Sequence, residues 1–264
     1  SSETSSKVIP LDISKELKTE GPATSPGLSA NFVTIASGET ITLQYNATSL
    51  IVYVHRGSGV FNSEDASFEW KQGDFFSFPG LSLAKLTAEQ QSVFYLVHDE
   101  PLLKYLGVNV SKKRFLPTLY PAEDAQAALQ AAIDDPDSSK RNRISVLLGA
   151  DEFPLTRTVT HVLWCMFGCI QPETHQKPHR HQSVALDFII DCEPGCYSLL
   201  GDEVDDNGEI INPIRVDWQS GIAFITPPGM WHSHHNVSKS MARLLPIQDA
   251  GLHTYLRSLD INFL

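Results

Sequence analysis

Residues 221–236 read GIAFITPPGMWHSHHN. Gly221 opens an apolar run, Pro227 and Gly229 close it, and His232 and Asn236 follow. Further upstream, residues 178–181 read PHRH, with His179 and His181 separated by a single residue. On a β-strand, residues i and i+2 point to the same face. His179 and His181 are therefore expected to project together into one barrel interior, and a neighbouring strand can bring His232 opposite them. Three neutral imidazoles suit Fe(II), Mn(II), Ni(II), Cu(II) or Zn(II).

Working outward, residues 31–98 are a series of short β-like runs broken by Gly, Asn and Pro: ETITLQY, SLIVYVHRGSGVF, SFEWKQGDFFSFPG and QSVFYLVHDE. Such spacing predicts a sandwich or barrel. WKQGDFFSFPG has the form of DWQSGIAFITPPG at 217–229: a Trp, a Gly, an apolar strand, then Pro. This degenerate repeat predicts two barrels in one chain. The first copy has no HxH pair, and SLAKL follows Pro79 and Gly80 where a His would fall, so the N-terminal barrel is expected to lack metal ligands. The alanine-rich PAEDAQAALQAAIDD predicts a short helix between the barrels. The expected organisation is a flexible N-terminal arm at 1–30, an N-terminal barrel at 31–107, a helical linker at 108–150 and a metal-binding C-terminal barrel at 151–264. The alternating tail DAGLHTYLRSLDINFL is expected to pair with a sheet or a second subunit.

The 264 residues are 42% hydrophobic, enough for a sizeable core. A net charge of −11 argues against a nucleic-acid or anionic-membrane partner. It does not exclude a small anionic substrate, because a local Arg can dominate a cleft. There is no long apolar run and no recognisable signal peptide, so a cytoplasmic location is expected. Cys165 and Cys169 lie in the apolar run HVLWCMFGCI and read as buried small hydrophobes. Cys192 and Cys196 flank EPG, a hairpin signal, and the CxxC knuckles of structural zinc sites are absent.

Gly221, Pro227, Gly229, His232 and Asn236 match the second signature motif of the cupin superfamily, and His179 and His181 match the start of the first. The first motif usually continues to a glutamate, but Ala185 and Leu186 stand there. A three-His cupin of this kind resembles the gentisate 1,2-dioxygenases. PHRHQSVALDFII, TPPGMWHSHHN and, more weakly, DEPLLKYLG at 99–107 carry the resemblance. The fold it implies is all-β: two tandem double-stranded β-helix (jelly-roll) barrels with a short linking helix.

The resemblance also implies roles. His179, His181 and His232 would bind the metal. His234 would face the substrate, and Asn236 would fix its loop through side-chain hydrogen bonds. Arg143, with Arg141 as a second candidate, would grip a carboxylate through the planar guanidinium fork. Trp164 would form a pocket wall, and His175 is expected in a polar loop ahead of the motif. Asp187 departs from the family, which has an Arg there. It can pair with Arg143, act as a base, accept a hydrogen bond or approach the metal as a fourth ligand, and it puts gentisate itself in doubt. The expected function is an O2-dependent Fe(II) dioxygenase of a small, aromatic hydroxy acid, with Mn, Ni or Zn as other metals and a homo-oligomeric assembly. The alternatives are a non-oxidative cupin metalloenzyme (isomerase, lyase or aminohydrolase) and a non-catalytic small-molecule-binding cupin.

Overall fold

The computed structural model describes residues 5–264. The chain divides into two units, 1–124 with 150–154 and 159–163, and 125–149 with 155–158 and 164–264. Each is built on two antiparallel sheets.

In the first unit, a six-stranded sheet runs in spatial order Lys7–Pro10, Ser29–Ile35, Ser92–His98, Leu50–Arg56, Phe75–Phe78 and Thr118–Tyr120. A four-stranded sheet runs Thr40–Leu43, Ala84–Ala88, Ser58–Asn62 and Ser67–Lys71. The two sheets share one apolar core, with Val52, Phe76 and Phe94 from the first against Phe61, Trp70 and Leu86 from the second. Phe61 stacks on Phe68 with ring centroids 4.6 Å apart and meets Phe78 at 5.4 Å. Because Phe61 is fully buried, Phe61→Ala is expected to cost about 3–5 kcal/mol, read as a lowered urea midpoint.

In the second unit, one five-stranded sheet runs Ile144–Leu148, Trp164–Ile170, Ala242–Gln248, Ala185–Asp191 and Ala223–Thr226. The other runs Ile214–Asp217, Cys196–Gly201, Trp231–Asn236, Thr174–His181 and Ile261–Phe263. Asn236 ties them together, donating from Nδ2 to the carbonyl of Ile170 at 3.0 Å.

The repeat seen in the sequence is a repeat of register. Leu50 pairs with Phe78 as Ala185 pairs with Thr226. Gly73 and Gly221 occupy the same turn, both with positive φ (91° and 83°), which glycine adopts without steric cost. Following the pairings through, Leu43 stands where the second barrel has His179, Ala84 where it has His232, Leu86 where it has His234, and Val52 where it has Asp187. The first interior is apolar at every one of these positions, and the second is polar.

Several boundaries differ from the expectation. Residues 1–4 of the arm lie outside the described residues, but Lys7–Pro10 is not a loose arm: it pairs antiparallel with residues 31–34 as a sheet edge. The linker is shorter than 108–150, because Thr118–Tyr120 pairs with Phe75–Phe78 and Ile144–Leu148 pairs with Trp164–Ile170. The helix between them is Ala122–Asp134. In the tail, only Ile261–Phe263 is a strand, paired with residues 179–181; Ala250–Leu256 is helical. Cys165 and Cys169 are buried; Cys192 and Cys196 are free thiols in a turn that is not a hairpin, because Ala185–Asp191 before it and Cys196–Gly201 after it belong to different sheets.

Candidate metal centre

The strand Thr174–His181 carries an irregularity that decides what it presents. Gln176 pairs with His234 and His179 with His232, so three steps on one strand match two on its neighbour. This β-bulge, at Lys177 and Pro178, resets the alternation. Gln176, His179 and His181 are all buried, while Lys177 and Arg180 are exposed. Asn142 holds the bulge: its Oδ1 accepts from the Lys177 N–H at 2.9 Å. The second motif is tied to the first by Gly229, whose φ is +77° and whose N–H donates to the His181 carbonyl at 2.8 Å.

The ligand atoms of His179, His181 and His232 lie within 4.8 Å of one another. Each ring is held by its other nitrogen. Nδ1 of His179 donates to the Lys177 carbonyl at 3.2 Å, Nδ1 of His181 to Ser183 at 2.8 Å, and Nδ1 of His232 to Met230 at 3.0 Å. These backbone acceptors fix the tautomer and leave every Nε2 lone pair facing inward. Nε2 of His181 is buried and has no hydrogen-bond partner. Burial also keeps the rings neutral: it pushes His181 down to about 4 and His232 to about 3, and holds His179 well below the usual range. A preorganised set of neutral, inward-pointing imidazole lone pairs fits a divalent transition metal.

His234 is next to this set but differs from it. Trp218 Nε1 donates to Ser198 Oγ at 2.9 Å, and that hydroxyl lies 2.7 Å from His234 Nδ1. Through these two contacts Trp218 and Ser198 hold the His234 ring by its Nδ1 edge. It is buried beside the ligand set and is not one of its three members.

Arg143 and Asp187 face each other electrostatically in the same interior. Arg143 donates from Nη2 to His179 Nε2 at 3.1 Å and from Nη1 to Met166 Sδ at 3.4 Å. Asp187 is buried and accepts from Thr226 Oγ1 at 2.7 Å. Burial raises Asp187 to about 6, against the opposing effects of Thr226 and Arg143. Trp164 pairs in register with Gln248, which pairs with Ala185, so it shares the face of Asp187, and its Nε1 is unpartnered.

Other candidates stand elsewhere. Arg141 bonds to Asp135 at the surface. His175 is on the strand rather than in a loop, exposed, with its ring 5.5 Å from that of His235 on the outer face. Asn236 accepts from the Ser238 N–H at 3.0 Å and donates to Ser240 at 2.8 Å, as loop fixation requires. Gln176 and Ser198 escape sequence reasoning: neither belongs to a motif, and strand alternation from His179 would turn Gln176 outward.

The buried imidazoles make the metal-free protein acid-sensitive. Each binds its proton more weakly folded than unfolded. The stability is full above about 6.5 and is lost as pH falls through that value toward about 4 for His181 and about 3 for His232. Each such group lowers stability by about 1.4 kcal/mol per pH unit. Asp187, raised from 3.8 to about 6, works in the opposite direction over that window and offsets one of them. Urea midpoints measured from pH 7 to 5 are expected to fall steeply, and less steeply in His232→Ala.

No family model matches the chain, and no relative is found among curated proteins. Among solved structures it resembles the salicylate 1,2-dioxygenase of Pseudaminobacter salicylatoxidans, with a TM-score of 0.76 at 12% identity over 98% of this chain and 80% of that one. The fold is that of the bicupins. A tryptophan-to-tyrosine variant of the same enzyme, in complex with gentisate, gives a TM-score of 0.77 over 98% of this chain and 78% of that chain, at 12% identity. An oxalate decarboxylase gives 0.60 at 14% identity, over 93% of this chain and 73% of that one. Among the described residues, no helix is long and apolar enough to cross a membrane.

Proposed function

We propose that the second barrel is the active site of a mononuclear non-haem iron dioxygenase acting on a small aromatic hydroxy acid. The observation that carries this reading is the convergence of three inward Nε2 lone pairs with the half-buried Arg143 guanidinium and the buried His234 imidazole beside them. The chemistry that Fe(II) supplies when held by His179, His181 and His232 is activation of O2 beside a substrate chelated through two oxygens.

The surrounding residues have separate tasks. Arg143 is half-buried and meets the ligand set at His179, so a carboxylate in the pocket finds its countercharge there. His234 lies buried beside the ligand set, where its ring is a hydrogen-bond partner for a phenolic oxygen, with Ser198 and Trp218 holding it in place. Asp187 tempers the positive charge of Arg143, which favours a substrate less anionic than a dianion.

A second reading is favoured by Asp187 alone. A buried carboxyl raised to about 6 suits an acid or base in a non-oxidative metalloenzyme. Oxygen uptake separates the two. Protein loaded anaerobically with Fe(II) and then given O2 with salicylate, gentisate or hydroxynaphthoates is expected to consume O2 with at least one acid, and His232→Ala to consume none. Turnover of an acid without O2 consumption would favour the second reading.

A further inference from the structure

Among the described residues of the second unit, the buried side-chain atoms left without a hydrogen-bond partner are Trp164 Nε1, His181 Nε2 and both polar atoms of the Gln176 carboxamide. All belong to side chains on the barrel interior. His181 Nε2 is accounted for by a metal. Gln176 is not: it is only 2% exposed, and no ligand role suits it.

An amide buried with neither its donor nor its acceptor satisfied costs about 1–3 kcal/mol for each unpaired group. The first barrel shows the apolar solution. By register, Ile41 occupies the place of Gln176, opposite Leu86 where the second barrel has His234. The second barrel instead keeps a glutamine beside His234, whose ring centroid is 6.1 Å from that of His179. It turns inward only because the Lys177–Pro178 bulge is there.

We propose that Gln176 is a specificity-determining residue that binds the substrate. This rests on the reading of the second barrel as a site for a chelating aromatic acid, and it adds a chemical requirement. Apart from its chelating pair, the substrate carries an uncharged group that donates and accepts at once: a carboxamide, lactam or hydroxyl. Such a group satisfies both Gln176 atoms, and a carboxamide does so in a closed pair of hydrogen bonds. A second carboxylate would pair with the amide N–H and leave the amide oxygen facing negative charge.

The test is calorimetric binding to Co(II)-loaded protein without O2, so that no turnover is needed. The probes are salicylate and salicylates bearing a hydroxyl or a carboxamide at each free ring position. Wild-type protein is expected to bind at least one substituted acid about tenfold more tightly than salicylate, the worth of one to two hydrogen bonds. Gln176→Ile, or Gln176→Met should the branched side chain crowd His234, is expected to erase that preference while salicylate affinity and cobalt stoichiometry hold. A preference that survives in both variants, or a wild type with none, would overturn the role of Gln176 and leave the aromatic-acid reading standing. Failure of wild-type protein to bind any of the acids, with cobalt still held, would overturn both.

Discussion

Replacing His232 by alanine is expected to strip the second barrel of its metal. A four-ligand structural zinc site is worth about 10–16 kcal/mol, so one ligand accounts for about 3 kcal/mol, on the order of 10²–10³-fold in affinity. Only His179 and His181 would remain of the set that lies within 4.8 Å. The backbone carbonyls that orient those two rings, from Lys177 and Ser183, are untouched by the change. The loss is therefore one of coordination rather than of local structure. Metal content after desalting is expected to fall from one equivalent to near zero, with the far-ultraviolet circular dichroism unchanged. Ala84 makes the folding argument from within the chain, since the first barrel already carries alanine at this register and buries it fully.

The second large effect is on Asp187. Asp187→Ala is expected to destabilise the metal-free protein by about 1–3 kcal/mol, because it leaves the buried Thr226 hydroxyl without its acceptor and the half-buried Arg143 guanidinium without its counter-charge. The carboxylate itself is a costly resident, as its raised pKa records. Replacing both partners, Asp187→Ala with Arg143→Met, is therefore expected to recover part of the loss. Urea denaturation of the four proteins in this cycle measures the coupling. Additive single effects would mean that the two residues do not compensate each other.

The fold was largely legible because its signals are local and repeated. Turn glycines, Pro-closed strands and two copies of one pattern predict two barrels, and Gly73 and Gly221 adopt the same left-handed turn. The HxH pair and His232 were legible for the same reason, since period-two alternation places them on one face. What alternation cannot foresee is its own interruption. The bulge at Lys177 and Pro178 depends on Asn142, far away in the chain, and it alone brings Gln176 inside. The Ser198–His234 contact joins residues across two strands, and no motif announces it. The sheet edge at Lys7–Pro10 lies in a polar, Ser-rich stretch, where pairing with a preformed strand overrides weak local preference, whereas the apolar ISVLL of Ile144–Leu148 carries a strand signal of its own.

The central claim, that this barrel uses a three-His centre to put O2 into an aromatic acid, is tested most directly by isotope labelling. Fe(II)-loaded protein turning over its acid under heavy-oxygen-labelled O2 is predicted to place both labelled atoms in one ring-opened product. A product that carries no label from O2 would contradict the account and leave the metal centre to non-oxidative chemistry.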